Sequence, residues 1–316
     1  MQEGAARVIL TDVTLREYGQ NVPSRSLHLF TPEIRTEIAQ RLVRIGFKSM
    51  EVLSCVSPLL APAMSEEAIK SVSRGLGRIK SCDIITLVPN KAGFRNFLAY
   101  GLGPQNCGHS AGVFFSAVEA HNLLNVRSSI RESLSQVKSV AKEAASAGVR
   151  LVGYISAAFG FREPGTGKLL RAKAEAIAGY LDFLFDLGAA VVTLSDLQGV
   201  ADQDTTRMLL QDVLNLRKGM DIERIGYHPH HVSGSRALAN SLAAYETGIR
   251  RFDASLGGTG GCVTGAPGNQ PTEGLVRFFE EKGVKTGLKP VEVSALADFV
   301  GEELYRKIEL QPRKPL

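Results

Sequence analysis

Eight short runs of β-branched or otherwise apolar residues recur along the chain, at 8 to 13 (VILTDV), 48 to 53 (KSMEVL), 83 to 88 (DIITLV), 111 to 116 (AGVFFS), 150 to 156 (RLVGYIS), 191 to 196 (VVTLSD), 224 to 229 (RIGYHP) and 251 to 255 (RFDAS). Between consecutive runs lies a stretch with helical periodicity or a helix-start signal. Strands that alternate with helices are joined by crossovers, which predicts a parallel sheet. Thr31 and Pro32 form an N-cap and first helical position, Ile34, Ile38, Leu42 and Ile45 make one apolar stripe, and Gly46 ends the helix. The same stop recurs at Gly148, Gly188 and Gly248, each just before a strand. Eight such units predict an α/β fold of the (β/α)8 TIM-barrel type over residues 1–285, with 286–316 as a short C-terminal helical extension packed on it. A doubly wound open sheet is the competing arrangement, but the glycine fingerprint for a dinucleotide is missing after the first strand.

Composition narrows the function classes. The 316 residues are 44% hydrophobic and 22% charged, the balance of a soluble globular protein. No apolar run approaches the roughly 18 residues a spanning helix needs, so no membrane association is expected. The opening MQEGAARVILTDV carries an acid at Glu3 and leads straight into a strand, which leaves the cytoplasm as the expected compartment. Cys55, Cys82, Cys107 and Cys262 lack paired CxxC spacing, against both a disulfide framework and a zinc ribbon. A net charge of +5 with scattered Lys and Arg predicts no nucleic-acid partner, although a mildly cationic surface suits an anionic small molecule. A homodimer is the expected assembly.

In a (β/α)8 barrel, catalytic groups sit at the C-terminal ends of the strands and in the loops after them, which converge on one mouth. The strand ends supply Asp12, Arg16 and Glu17; Glu51 and Ser54; Asn90; Ser116 and Glu119; Ser156; Asp196; and His228 and His230. Taken singly, each is also an ordinary cap or turn former. Side-chain alternation puts His228 and His230 on one face, roughly 6 to 7 Å apart, and points His231 elsewhere. Two neutral imidazoles need a carboxylate beside them to offset a divalent cation, and Glu17 lies on the same rim. Paired histidines also occur in turns, and Arg16 with Glu17 also suits a surface ion pair. Arg16 is no ligand but is suited to a carbonyl or carboxylate oxygen of a substrate. The run GGTGGCVTGAPGN, 257 to 269, lets backbone approach a ligand at glycines such as Gly260 and Gly261. Within it Cys262 is a candidate acid or nucleophile, and Asn269 offers an amide oxygen to a mixed O/N site, although glycine-rich runs also serve as plain turns.

These pieces resemble the metallolyase barrels that include 3-hydroxy-3-methylglutaryl-CoA lyase, homocitrate synthase and isopropylmalate synthase. DVTLREYGQN is similar to the family's strand-one motif, HPH at 228 to 230 to its metal-binding pair, and EVLSCVSPLLAPAM, GYISAAFG, LSDLQGV and GGCVTGAPGN to the lyase branch. The resemblance implies Mg²⁺ or Mn²⁺ held by Glu17, His228, His230 and Asn269, and an acyl-CoA as the small-molecule substrate. It implies a retro-Claisen cleavage of a 3-hydroxy-acyl-CoA, such as 3-hydroxy-3-methylglutaryl-CoA, to acetyl-CoA and a keto acid. Arg16 would stabilise oxyanionic charge, Cys262 would protonate the enolate carbon, and Asp196 and Glu51 would move protons or orient ligands. Gln20, Ser54, Asn90 and the backbone at Gly260 and Gly261 are the expected contacts to the bound acyl-CoA.

The chain departs from the lyase pattern at several points. Glu17 stands where the lyases usually have Asp, as in homocitrate synthases, and VPSRSLHLF (22 to 30) is longer than expected. Phe161 and Arg162 replace a usual Cys-Pro pair, Leu59 replaces a common Lys, and the loop from Cys262 to Asn269 is about two residues short. An acyl chain other than methylglutaryl is one reading of these changes, with Arg162 meeting an added anionic group or lying at the surface. A Claisen-condensing synthase would use the same metal and arginine in the opposite direction, and Cys262 weighs against it. A non-catalytic metal- and CoA-binding barrel is the alternative from another class.

Overall fold

In the computed structural model, the described residues are 7–217, 219, 221–231, 236–260 and 268–308. Eight parallel strands close into a barrel: β1 (Ile9–Asp12), β2 (Ser49–Ser54), β3 (Asp83–Leu87), β4 (Ser110–Ser116), β5 (Leu151–Ser156), β6 (Ala189–Asp196), β7 (Ile225–Pro229) and β8 (Arg251–Ala254). The ring closes where β1 pairs with β8, from Ile9 opposite Arg251 to Asp12 opposite Ala254. Every expected strand is present, and β2, β4 and β5 are buried along their whole lengths. Burial on both faces is what a sheet wrapped by helices imposes, and it explains why these segments read as apolar runs and not as alternating ones.

Helix α1 (Thr14–Asn21) follows β1 almost at once, and α2 (Pro32–Ile45) begins and ends as its punctuation predicts. Thr31 Oγ1 accepts the amide of Ile34 at 3.4 Å, and Gly46 takes the left-handed conformation at φ 114°, which a side chain would strain. Strand one therefore stops at Asp12, and Arg16 and Glu17 project from the first turns of α1. The aspartate fixes that turn: its two oxygens accept the amide of Thr14 at 3.0 Å and the Thr14 hydroxyl at 2.9 Å. Between β2 and β3 the register shifts between Glu51 and Leu53, an irregularity of the kind that re-aims a side chain beside a site.

Two features lie outside the regular pattern. A short antiparallel hairpin, Phe161–Arg162 with Leu169–Leu170, follows β5. The segment from 22 to 30 tucks Phe30 against Tyr18 of α1, with ring centroids 5.1 Å apart, and carries a single 3₁₀ turn at Ser24–Ser26. The helix Pro290–Val300 packs on α2, where the guanidinium of Arg41 lies 3.8 Å above the Phe299 ring. Among the described residues, no helix is long and apolar enough to cross a membrane.

Candidate active site

A cleft of about 600 Å³, its mouth included, opens at the C-terminal ends of the strands. Arg16, Glu17, Glu51, Tyr154, His228 and His230 line one part of it, and Leu87, Phe114, His121, Asn125, Ser156, Ser195 and Leu197 the rest. α1, β2, β5, β7 and the helix after β4 thus each deliver polar groups to one concave space, as the barrel architecture requires.

Arg16 organises the acidic side. Its Nε donates to Glu51 Oε2 at 2.5 Å and its Nη1 donates to Glu17 Oε1, all three side chains being buried. Burial works against any charge here, yet the two carboxylates outweigh it and raise the pKa of Arg16, so the guanidinium is permanently cationic. Burial raises the Glu51 pKa, against the opposing pull of Arg16. The Tyr154 phenol, buried beside Glu51 and Asp253, is raised well above its ordinary range.

The two histidines converge. His228 Nε2 and His230 Nε2 lie 3.1 Å apart, and His228 Nδ1 faces Asp253 Oδ2, also at 3.1 Å. Burial opposes protonation of His228, but the hydrogen bond and charge of Asp253, together with Glu17, raise its pKa. The Asp253 contact assigns the Nδ1–H tautomer, which leaves the Nε2 lone pair aimed at His230. Two imidazole nitrogens held this close call for a cation or a proton between them.

Asn269 completes the group. Its backbone bridges to that of His230, its Nδ2 donates to Thr259 O at 2.7 Å, and its buried Oδ1 has no hydrogen-bond partner among the described residues. Gly260 explains the need for glycine in the same place: at φ 106°, an added Cβ would collide with Asn269 Nδ2 and come within 2.9 Å of Glu17 Oε2. Among the described residues, no three His, Cys, Asp or Glu side chains are drawn into a metal-binding cluster, Glu17 being turned to Arg16. The donor set nevertheless fits a hard divalent cation: two imidazoles, a carboxylate and an orphaned amide oxygen.

Other expected site residues separate. Gln20 and Ser54 are buried next to this region with side-chain polar atoms that lack hydrogen-bond partners among the described residues, and neither lines the cleft. Asp196 is not aimed at the cleft, because its two oxygens accept the amides of Val200 and Ala201 at 2.9 and 3.0 Å and hold the loop after β6. Burial pushes its pKa up to about 6, against those two amides. Asn90 is exposed and caps the helix Lys91–Ala99, accepting the Gly93 amide at 3.0 Å, so the structure does not bring it to the site. Cys262 and Gly261 lie outside the described residues. The Arg162 guanidinium donates to Gly167 O at 2.8 Å within its own hairpin and does not line the cleft, while Leu59 is exposed.

Sequence reasoning missed His121, Asn125, Tyr154 and Asp253. His121 and Asn125 are i and i+4 on the helix Glu119–Val126, so they share a face, and Ser116 Oγ meets His121 Nδ1 at 2.6 Å. That spacing was a usable signal. Tyr154 and Asp253 sit inside strands, where a polar residue in an otherwise buried run was the only hint.

Comparisons with known proteins show the family and the fold. The HMGL-like family model matches residues 7–300. The hydroxymethylglutaryl-CoA lyase YngG of Bacillus subtilis is 31% identical over 94% of this chain and 94% of its own length. A crystal structure of the B. subtilis HMG-CoA lyase superposes with a TM-score of 0.81 at 30% identity, covering 94% of this chain and 93% of that one. An HMG-CoA lyase from Acinetobacter baumannii, solved in complex with coenzyme A and 3-methylmalate, superposes with a TM-score of 0.81 at 27% identity, covering 96% of this chain and 93% of that one. With the barrel, the Arg16 bridge and the converging histidines all present in a chain matched across nearly its whole length, the protein belongs to the HMGL-like family.

Proposed function

We propose that this chain is a carbon–carbon lyase that cleaves 3-hydroxy-3-methylglutaryl-CoA to acetyl-CoA and acetoacetate. The observation that carries the reading is Arg16, a buried guanidinium bridging Glu17 and Glu51 in the same cleft as His228 and His230. The similarity to hydroxymethylglutaryl-CoA lyases over most of the chain supports it, and the coenzyme A complex of a relative supports an acyl-CoA as the substrate.

Glu17, His228, His230 and Asn269 are the residues that would hold Mg²⁺ or Mn²⁺. When bound, the ion would supply a Lewis-acidic centre that lowers the pKa of the substrate's 3-hydroxyl. Glu51, at the cleft wall with its proton affinity raised by burial, takes the hydroxyl proton. The C2–C3 bond then breaks, its electron pair passing to the thioester as an enolate while the 3-oxygen becomes the ketone of acetoacetate. Arg16, its Nε and Nη1 pinned by the two carboxylates, presents a fixed positive charge where oxyanionic charge develops. Cys262 is the proposed donor of the proton that converts the enolate to acetyl-CoA. A homodimer is the assembly proposed with this activity.

The test is mass-spectrometric detection of acetyl-CoA and acetoacetate from 3-hydroxy-3-methylglutaryl-CoA with added Mn²⁺, run beside Arg16→Met and Cys262→Ala. Cleavage by the parent chain that is lost in Arg16→Met is the expected result. A parent chain that cleaves none of the thioester with Mn²⁺ or Mg²⁺ present would refute the reading.

A further inference from the structure

A turn of the C-terminal extension meets the segment that leads from β8 to Asn269. After Val300 the helix widens into a π-helical turn, Gly301–Tyr305, in which the amide of Arg306 donates to Gly301 O at 3.0 Å. Tyr305 from this turn meets the segment that follows β8. Its hydroxyl donates to Leu256 O, and its ring packs so tightly on Gly257 that any Cβ there would collide with the ring. On its other side the Tyr305 ring lies 5.4 Å from that of Tyr18, the residue after Glu17 on α1.

From Leu256 the contacts run directly to the proposed metal ligands. Gly257 and Gly258 take left-handed conformations at φ 65° and 70°, so the chain turns sharply just before Thr259. Thr259 O accepts both Ser255 Oγ at 2.8 Å and Asn269 Nδ2 at 2.7 Å. The second bond fixes which way the Asn269 amide faces and therefore where its orphaned Oδ1 points. Gly260 then lies against Glu17 Oε2.

We propose that Tyr305 is a positioning residue: by holding Leu256 and Gly257, it sets Thr259 and thereby the orientation of Asn269 Oδ1 toward a divalent cation. The C-terminal extension is thus part of the working site and not only a cover on the barrel. The inference rests on the reading of Glu17, His228, His230 and Asn269 as a metal seat. Tyr305 touches none of the reacting atoms itself.

The experiment compares the parent, Tyr305→Phe and Tyr305→Leu chains, first stripped with chelator. Mn²⁺ affinity is measured by calorimetric titration, thermal midpoint by scanning calorimetry, and kcat and KM with 3-hydroxy-3-methylglutaryl-CoA. Tyr305→Phe loses only the hydroxyl contact, and about a 3- to 10-fold loss of Mn²⁺ affinity is expected, with kcat falling in step and KM for the thioester little changed. Tyr305→Leu, which also removes the aromatic ring from Gly257, should lose more. Mn²⁺ affinity of Tyr305→Phe equal to the parent's, or a loss that tracks a lowered thermal midpoint, would overturn the proposal, as would a parent that binds no Mn²⁺. A parent that binds Mn²⁺ but cleaves nothing defeats the lyase reading alone, and the titrations then decide the role of Tyr305.

Discussion

Asp253 Oδ2 lies 3.1 Å from His228 Nδ1, and neither side chain has more than about a twentieth of its surface exposed. A carboxylate in that position fixes both the tautomer and the tilt of the imidazole, and raises the basicity of the opposite nitrogen. Asp253→Asn keeps the shape but can present an amide N–H to Nδ1, favouring the wrong tautomer. Mn²⁺ affinity and kcat should each fall about 10- to 100-fold, with Asp253→Glu recovering part of the loss. Calorimetric titration and initial rates read this out, and an Asp253→Asn chain with parental affinity would remove Asp253 from the site's design.

Arg16 carries a second prediction because it serves two purposes at once. In the proposed mechanism it presents charge to the substrate, and in the structure it neutralises two buried carboxylates. Arg16→Met should lower kcat by about 10²- to 10³-fold, the usual loss when a preorganised donor to developing charge is removed. The stranded carboxylates should also cost stability, on the order of 3 kcal/mol, eased where Glu51 takes up a proton. Arg16→Lys should rescue little, since one ammonium cannot reproduce a fork that meets Glu17 and Glu51 from different nitrogens. Steady-state rates and urea unfolding of the same preparations test both halves, and parental turnover in Arg16→Lys would contradict the bridging role.

Asn90 gives a contrasting case. It stands at the end of β3 as a substrate-contacting residue would, but its oxygen is committed to the Gly93 amide. Asn90→Ala should therefore cost about 0.5–2 kcal/mol of stability through the lost cap and leave KM for the thioester unchanged. A raised KM with unaltered unfolding would return Asn90 to the binding site.

The strands were legible because their signals are local. β-branched runs and the glycine stop at Gly46 specify themselves without reference to distant residues. Helix α1 was not, since TLREYGQN is only eight residues long and mostly polar, yet is buried throughout, so its burial does not follow from its own hydrophobicity. The hairpin at 161–170 pairs only two residues per strand, too few to leave a periodic trace. Arg16, Glu17, His228 and His230 could be placed on one rim from strand ends alone. What the linear pattern could not supply was pairing between separate elements: Arg16 with Glu51, His228 with Asp253, and Tyr305 with Leu256 join residues far apart in sequence. Asp196 shows the limit from the other side, because a carboxylate at a strand end looks the same whether it faces a substrate or clamps its own loop.

Asp12 yields a prediction about stability against pH. Burial pushes its pKa up to about 7 from 3.8, opposed by the Thr14 hydrogen bonds and reinforced by Glu273 and Glu51. The folded chain therefore holds a proton between about pH 4 and 7 that the unfolded chain has released. Where the native state binds more protons, stability falls as pH rises, so Asp12 lowers stability progressively across that window and levels off above it. A shift of this size corresponds to about 4 kcal/mol at most, and relaxation around the buried group would reduce it. Asp12→Asn cannot titrate, yet its amide oxygen can still accept the Thr14 amide, so the helix start is preserved. Urea midpoints at pH 5 and pH 8 should differ less in Asp12→Asn than in the parent, the variant gaining at the higher pH. Taking the difference between the two chains removes the contribution of Asp196, which titrates near the same window but is common to both. Parallel pH profiles for parent and variant would show that Asp12 is already ionised in the folded protein, and that Thr14 alone is enough to hold its charge.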